Sequence, residues 1–263
     1  MMFKEQLVAE KILLRRRMLE KQLAASAHGS TVAQPLAPYR PRRKKQRSFS
    51  TWNAPRKDVG LRKPARSSDK NERGFTIFNG HQVNHESGLE HRVSVIFQAD
   101  RTVADIFAQR SKVDYRDAKG KLCHTIFDFL VILKDGTWIG VAVKPERYRE
   151  RIMKMFDQIK ATSKQTDLDR LVFVSDEQAT MDKFANARDI LWAREHVDDD
   201  EARYVVRTFG ARDTLGFWEL YESGNIGNWS RKAAIWRLID VGILEPVCEN
   251  ERICDVSYLK IVR

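Results

Sequence analysis

Cysteine is scarce in this 263-residue chain: Cys123, Cys248 and Cys254 are the only three, and none stands in a Cys-x-x-Cys pair. An odd number cannot all pair within one chain, so a disulfide scaffold is excluded. The expectation is a reduced, cytosolic protein whose cysteines serve as small buried apolar side chains. Long apolar runs are also missing. No stretch approaches the ~20 residues of a membrane span, and the N-terminus lacks an apolar segment followed by a cleavage site, so nothing signals secretion. No internal repeat is present. His81, His85, His91 and His124 are irregularly spaced and have no cysteine pair beside them, which argues against a zinc motif.

Acidic residues are scarce in one part of the chain only. Residues 1–73 hold 19 Lys/Arg against 6 Asp/Glu, whereas the rest holds 28 against 30, so the overall +11 comes wholly from the N-terminal segment. A basic arm on a near-neutral body suits nucleic acid, because neutralising phosphates releases counterions. Residues 3–25 are helix-prone and loosely amphipathic. Residues 26–72 read as a disordered linker with Pro35, Pro38, Pro41, Pro55 and Pro64 and few aliphatics. Within it Arg42, Arg43, Lys44, Lys45 and Arg47 are candidate phosphate contacts. Tyr39 and Trp52 are candidates for stacking on bases.

Hydrophobic residues make up 42% of the chain, enough for a sizeable core beyond Gly74. Phe75–Phe78 is a short apolar segment. Ser87–Phe97 reads as a helix that Ser87 caps, with Glu90 at capping-box spacing. Val103–Tyr115 contains a strand, and Asp117–Gly120 a turn. Ile126–Leu133 reads as one buried strand carrying Asp128, Asp135-Gly136 as its turn, and Trp138–Lys144 as the returning strand. A helix over Arg147–Lys164 and a buried strand over Leu171–Ser175 complete a small α/β sandwich. Beyond it, helices are predicted over Met181–Glu195, Thr214–Glu222 and Ser230–Val241. Asp198–Glu201 reads as an acidic linker or cap, Gly224–Gly227 as a turn, and Ile243–Val247 and Ile253–Val262 as extended segments. That plan is helix-turn-helix or winged-helix.

Asp128 and Lys144 stand out chemically, since an unpaired charge inside an apolar run is costly. An acid on one strand and a lysine on the next is the means by which metal-dependent nucleases hold Mg²⁺ beside a scissile phosphate. Such hydrolysis needs a nucleophilic water, charge neutralisation at phosphorus and help for the leaving oxygen, which carboxylate-bound Mg²⁺ supplies. Alternation along a strand puts Ala142 and Lys144 on one face. Glu90 on the preceding helix could be a further ligand. At 142 that pattern asks for Glu, Asp or Gln, and alanine offers no ligand atom.

The segments Glu86-Ser87-Gly88-Leu89-Glu90, Val103-Ala104-Asp105-Ile106-Phe107-Ala108-Gln109, Phe127-Asp128-Phe129-Leu130-Val131 and Val141-Ala142-Val143-Lys144-Pro145 resemble, in order and spacing, the TnsA family. These are the endonuclease subunits of Tn7-like heteromeric transposases. The resemblance spans about residues 74–175 and extends to the C-terminal helix-turn-helix. It implies a restriction-endonuclease-like (PD-(D/E)XK) core over 74–178 and a winged-helix-like domain over 179–263, behind the basic arm and linker of 1–73. It implies that Glu90 is the helix glutamate, Asp128 the central metal-binding aspartate and Lys144 the catalytic lysine, with the backbone carbonyl of Val143 near the Mg²⁺. Ala142 falls where the family carries a Gln or an acid. The implied reaction is a Mg²⁺-dependent cut at the 5′ ends of a transposon. The implied partners are double-stranded DNA, a TnsB-like DDE transposase and a TnsC-like AAA+ ATPase that meets the C-terminal domain.

Other readings stay open. With Ala142 in a ligand position, the chain could be a catalytically degenerate DNA-binding or assembly subunit, or a stand-alone nuclease of the same fold. Glu146 and Glu150 are the nearest carboxylates that could replace the missing ligand. Glu86 reads as a surface residue, and Gln109 as either a family match or a strand-end residue. Trp218, Trp229 and Trp236 read as core. Arg231 and Lys232 open the second helix of the C-terminal unit, where a recognition helix would meet phosphate.

Overall fold

A computed structural model describes residues 54–57, 60–61, 72–163, 167–222 and 229–262. The elements below all belong to one unit, Pro55–Val262. The helix expected over 3–25, the basic run 42–47, Tyr39, Trp52 and the turn at 224–227 lie outside the described residues.

The chain enters with a hairpin, β1 (Gly74–Phe78) and β2 (His81–His85), and then forms α1 (Gly88–Ala99). A four-stranded sheet follows, in the order β3 (Val103–Ala108), β6 (Phe129–Leu133), β7 (Trp138–Val143) and β8 (Arg170–Val174). The first two pairings are antiparallel, and β7 pairs with β8 in parallel. A parallel neighbour needs a long crossover, which α2 (Arg149–Thr162) supplies. Between β3 and β6 the chain makes a separate hairpin, β4 (Lys112–Arg116) and β5 (Leu122–Ile126).

Side-chain alternation along β7 explains the layering. Ile139, Val141 and Val143 face a core shared with Val93 of α1, whereas Ala142 joins Phe156 and Ile159 of α2 on the opposite face. Strands buried on both faces read as continuous apolar runs, as Phe129–Leu133 and Trp138–Val143 do. Gly140 is fixed by packing: a Cβ there would lie 2.6 Å from Leu168 and 3.1 Å from the Phe127 ring.

Two expected strands are divided. Val103–Tyr115 holds β3 and β4, which pair with different partners. Ile126–Leu133 is broken at Phe127-Asp128, where the chain leaves the β4–β5 hairpin and enters the central sheet. Asp128 therefore sits at a junction between strands rather than within one.

Beyond β8 come α3 (Met181–His196), α4 (Asp199–Phe209), β9 (Thr214–Gly216), α5 (Phe217–Glu222), α6 (Trp229–Asp240), β10 (Leu244–Pro246) and β11 (Tyr258–Ile261). The three short strands form an antiparallel sheet in the order β10-β11-β9. Asp198 does cap a helix, accepting from the N–H groups of Asp200 and Glu201, but the acidic stretch is that helix's first turn and not a linker. Ala202, Val205, Val206 and Phe209 fall at i, i+3, i+4 and i+7 on its inner face. Their dilution by six charged residues in Asp198–Arg207 hid the period from a reading by apolar runs. Thr214–Glu222 begins as a strand because its first three residues pair with β11.

The exposed tryptophans and cysteines correct the core expected from sequence. Trp236 is 1% exposed, whereas Trp218 and Trp229 are 48% and 68% exposed. Cys248 and Cys254 are exposed and all three cysteines are free. The last two lie in the connection between β10 and β11, where Ile253, and neither cysteine, turns into the core.

Arg194 joins three helices. Its guanidinium donates to the terminal carbonyls of α1, Gln98 O at 2.8 Å and Ala99 O at 2.5 Å, and to both carboxylate oxygens of buried Asp240 on α6 at 3.0 and 2.9 Å. The last carbonyls of a helix have no partners within it, and a cation there also meets the negative end of the dipole. No helix among the described residues is long and apolar enough to cross a membrane.

Candidate active site

Three elements converge at one end of the four-stranded sheet: the entry to β6, the exit of β7 and the first turn of α1. The last β6–β7 register pair toward this end is Phe129 with Val141. One step further, Asp128 stands opposite Ala142. Past this point β6 has no backbone acceptor to offer, so the Asp128 carboxylate takes its place, with Oδ2 accepting from Val143 N–H at 2.7 Å. In extended backbone the N–H and C=O of one residue point toward the same neighbour, so the Val143 carbonyl is directed to the Asp128 side. Lys144 N–H points the other way, to Val174 O at 3.3 Å. The backbone of Asp128 is held by Gln109, whose N–H donates to its carbonyl at 3.0 Å. Gln109 closes the end of β3 with a left-handed backbone, φ +50°.

The Lys144 ammonium lies 3.1 and 3.0 Å from the two oxygens of Asp128. The Asp128 side chain is 14% exposed and that of Lys144 44%, so the pair sits at the mouth of the sheet edge and not in the core. Charge-assisted bonds of this kind hold geometry better than neutral ones.

Glu90 completes the cluster. Ser87 Oγ accepts from Glu90 N–H at 3.2 Å, as the capping-box spacing predicts. The Glu90 carboxylate reaches back one residue further than the usual box and accepts from Glu86 N–H at 2.7 Å. It is 8% exposed. Burial, and next the Asp128 carboxylate, push its proton affinity above the ordinary glutamate range, while the Glu86 N–H and Lys144 oppose that. Glu90, Asp128 and Lys144 are therefore within electrostatic reach of one another. Glu86 is half-buried, where sequence pointed to the surface; its backbone N–H is what the Glu90 carboxylate requires.

A cavity of about 850 Å³ opens beside this cluster, and its lining includes Asp128, Ala142, Lys144, Tyr148, Glu150 and Arg151. The methyl of Ala142, 6% exposed, belongs to the apolar cluster of Val113, Phe127, Phe156, Ile159 and Phe173. Of the two carboxylates that could stand in for it, Glu146 is occupied, paired with Arg149 and accepting from Ser175 Oγ at 2.5 Å. Glu150, in the first turn of α2, lines the same cavity as Ala142 and carries an exposed pair with Lys154 at 2.7 Å. Two carboxylates and a strand-end carbonyl are hard oxygen donors of the kind Mg²⁺ prefers. The adjacent lysine can orient a water or offset developing negative charge.

The expected phosphate contacts of the C-terminal elements separate. Arg231 is 5% exposed, ion-paired with Glu201, bonded to Leu220 O at 3.3 Å and stacked over Tyr204 at 3.9 Å. It is a structural arginine between α4 and α6 and not a surface contact, because its side chain points toward α4. Lys232 instead lines a cavity of about 370 Å³ with Arg188, Asp189, Trp192, Trp229 and Arg252.

The histidines are resolved by tertiary contact. His81 is engaged structurally, Nε2 lying 2.9 Å from Ile106 O and the ring stacking on Phe107. His124 lies in β5 opposite Asp114. His85 and His91 stack on each other, with Glu72 beside them. Burial and the charge of His91 hold His85 down to about 4, against a weaker pull from Glu72. No protein-family model matches the chain, and no curated protein matches it.

Proposed function

We propose that this chain is a Mg²⁺-dependent DNA endonuclease of the TnsA type, cutting at the 5′ ends of a transposon beside a DDE transposase and an AAA+ regulator. The observation that carries the reading is the contact of Lys144 with both oxygens of Asp128, next to buried Glu90. The succession α1, β3, β6, β7, α2, β8, with one parallel pair after two antiparallel ones, is compatible with a restriction-endonuclease-like core. The succession α4, β9, α5, α6, β10, β11 is compatible with the winged-helix reading. Glu90, Asp128 and the Val143 carbonyl would hold the metal. Bound there, Mg²⁺ would offset charge at phosphorus and lower the pKa of a bound water. Lys144 would then turn from Asp128 toward the phosphate or the attacking water. The basic run 42–47 supplies non-specific phosphate affinity.

Ala142 favours a second reading, a catalytically silent subunit that binds DNA and bridges transposase to regulator. Its methyl is packed among aromatic rings and supplies no ligand atom. A Mg²⁺-dependent cleavage assay on cognate ends, with the partner transposase present, separates the two. An active nuclease cuts as wild type and loses cutting in Asp128→Asn. If wild type fails and Ala142→Gln cuts, the chain is the silent subunit. Equal cutting by wild type and Asp128→Asn would overturn the site.

A further inference from the structure

We propose that Glu72, His85 and His91 form a binding site for a divalent transition-metal cation of the zinc class, distinct from the Asp128 cluster and independent of the function proposed above. The three residues come from separate places in the chain, just before β1, at the end of β2 and in the first turn of α1. Their ligand atoms nevertheless lie within 4.8 Å of one another. His91 Nδ1 is 3.1 Å from Glu72 Oε1, and the two imidazoles stack in parallel, centroids 4.5 Å apart and planes 9° from parallel.

A second observation points to a ligand. His85 is 6% exposed, and its Nδ1 has no hydrogen-bond partner among the described residues. Buried polar atoms are nearly always paired, and leaving one unpaired is costly. The surrounding backbone is cut to fit these side chains. Gly74, the register partner of His85, would place a Cβ 2.9 Å from its Nε2, and Gly88 would place one 2.8 Å from Glu72 Oε2. Phe184 meets the His91 ring edge-on, centroids 5.3 Å apart. Glu72 is 59% exposed, so the cluster opens to solvent on one side.

The donor set selects the cation. Two imidazoles and one carboxylate are ligands for zinc and its neighbours, whereas Mg²⁺ and Ca²⁺ take oxygen sets. At metal–ligand distances of ~2.0–2.2 Å, tetrahedral donors stand roughly 3.3–3.6 Å apart. A cluster that already lies within 4.8 Å reaches that spacing once the two rings turn out of their stack, so that the in-plane lone pair of each meets the ion. Water would complete the fourth position from the open side. Local sequence spacing could not show this, because the β1–β2 turn is what returns His85 to the segment carrying Glu72.

The test is a calorimetric titration of the full chain, stripped with a chelator, with Zn²⁺ and separately with Mg²⁺. Wild type and Asp128→Asn should each take up one Zn²⁺ per chain at this site, and Mg²⁺ should not compete for it. Glu72→Gln and His91→Gln, both at solvent-accessible positions, should weaken that binding at least 10-fold while keeping the wild-type circular dichroism. Absence of Zn²⁺ uptake by wild type would overturn the proposal. So would undiminished uptake by the Glu72→Gln/His91→Gln double variant, which would place the ion elsewhere, for instance on the free cysteines. Loss of DNA cleavage in Asp128→Asn with Zn²⁺ uptake intact would keep the two sites apart.

Discussion

Replacing Asp128 by alanine or by asparagine separates its structural duty from its chemical one. The carboxylate accepts the Val143 N–H at 2.7 Å and bonds the Lys144 ammonium at 3.0 and 3.1 Å. Asp128→Ala leaves the Val143 N–H without an acceptor at a strand end where β6 offers none, which costs about 1–3 kcal/mol. Loss of the lysine contact adds little, because Lys144 is nearly half exposed and solvent screens the pair. Asp128→Asn keeps a side-chain oxygen for Val143 and so should retain most of that stability. For a folded unit of this size, each kcal/mol shifts Tm by about 2–4 °C. Asp128→Ala should therefore melt several degrees below Asp128→Asn, while both lose Mg²⁺-dependent cleavage, since an amide is a poor substitute for an anionic ligand. Thermal melts and cleavage of end-containing DNA, run on the same preparations, read the two effects apart. Equal Tm values for the two variants would refute the strand-end role of the carboxylate, and cleavage by Asp128→Asn at the wild-type rate would refute its chemical role.

Arg231→Ala should destabilise by about 3–5 kcal/mol, since it removes a buried guanidinium together with its ion pair to Glu201 and its stack on Tyr204; urea denaturation measures this, and a variant as stable as wild type would return Arg231 to the surface. His85 is held down to about 4 from 6.5, so between those values the unfolded chain binds a proton that the native one refuses. Stability should accordingly fall as pH drops from about 6.5 toward about 4, and His85→Gln should flatten that part of a urea-midpoint profile. Neutralising Arg42, Arg43, Lys44, Lys45 and Arg47 together should reduce the slope of log K against log salt for duplex DNA by up to about 4–5. An unchanged slope in a filter-binding series would remove the basic run from the interface.

Glu90 shows how far local pattern can carry. A serine, two intervening residues and a glutamate specify a helix start, because both side chains satisfy backbone groups within four residues of themselves. That the same carboxylate also faces Asp128, about forty residues away, follows only from the packing of α1 on the sheet. Ala142 is a similar case. Its identity marks a missing ligand in the sequence, but its environment of Phe127, Phe156 and Phe173 is assembled by β7, β8 and α2. Arg231 and Trp229 exchange their expected places because the side of α6 that meets α4 is set by how the two helices pack, not by residue type.

The amino-acid sequence by itself determined where charge concentrates, which runs alternate or repeat with helical period, and that an acid and a lysine stand at the ends of neighbouring apolar runs. Those properties depend on contacts within a few residues and on side-chain periodicity along strands and helices. Tertiary structure alone decided that Asp128 lies at a junction between two sheets, that Glu150 shares a cavity with Ala142, and that Glu72, His85 and His91 meet. Each of these rests on strand register and helix docking, which bring together residues whose separation along the chain carries no signal of their proximity.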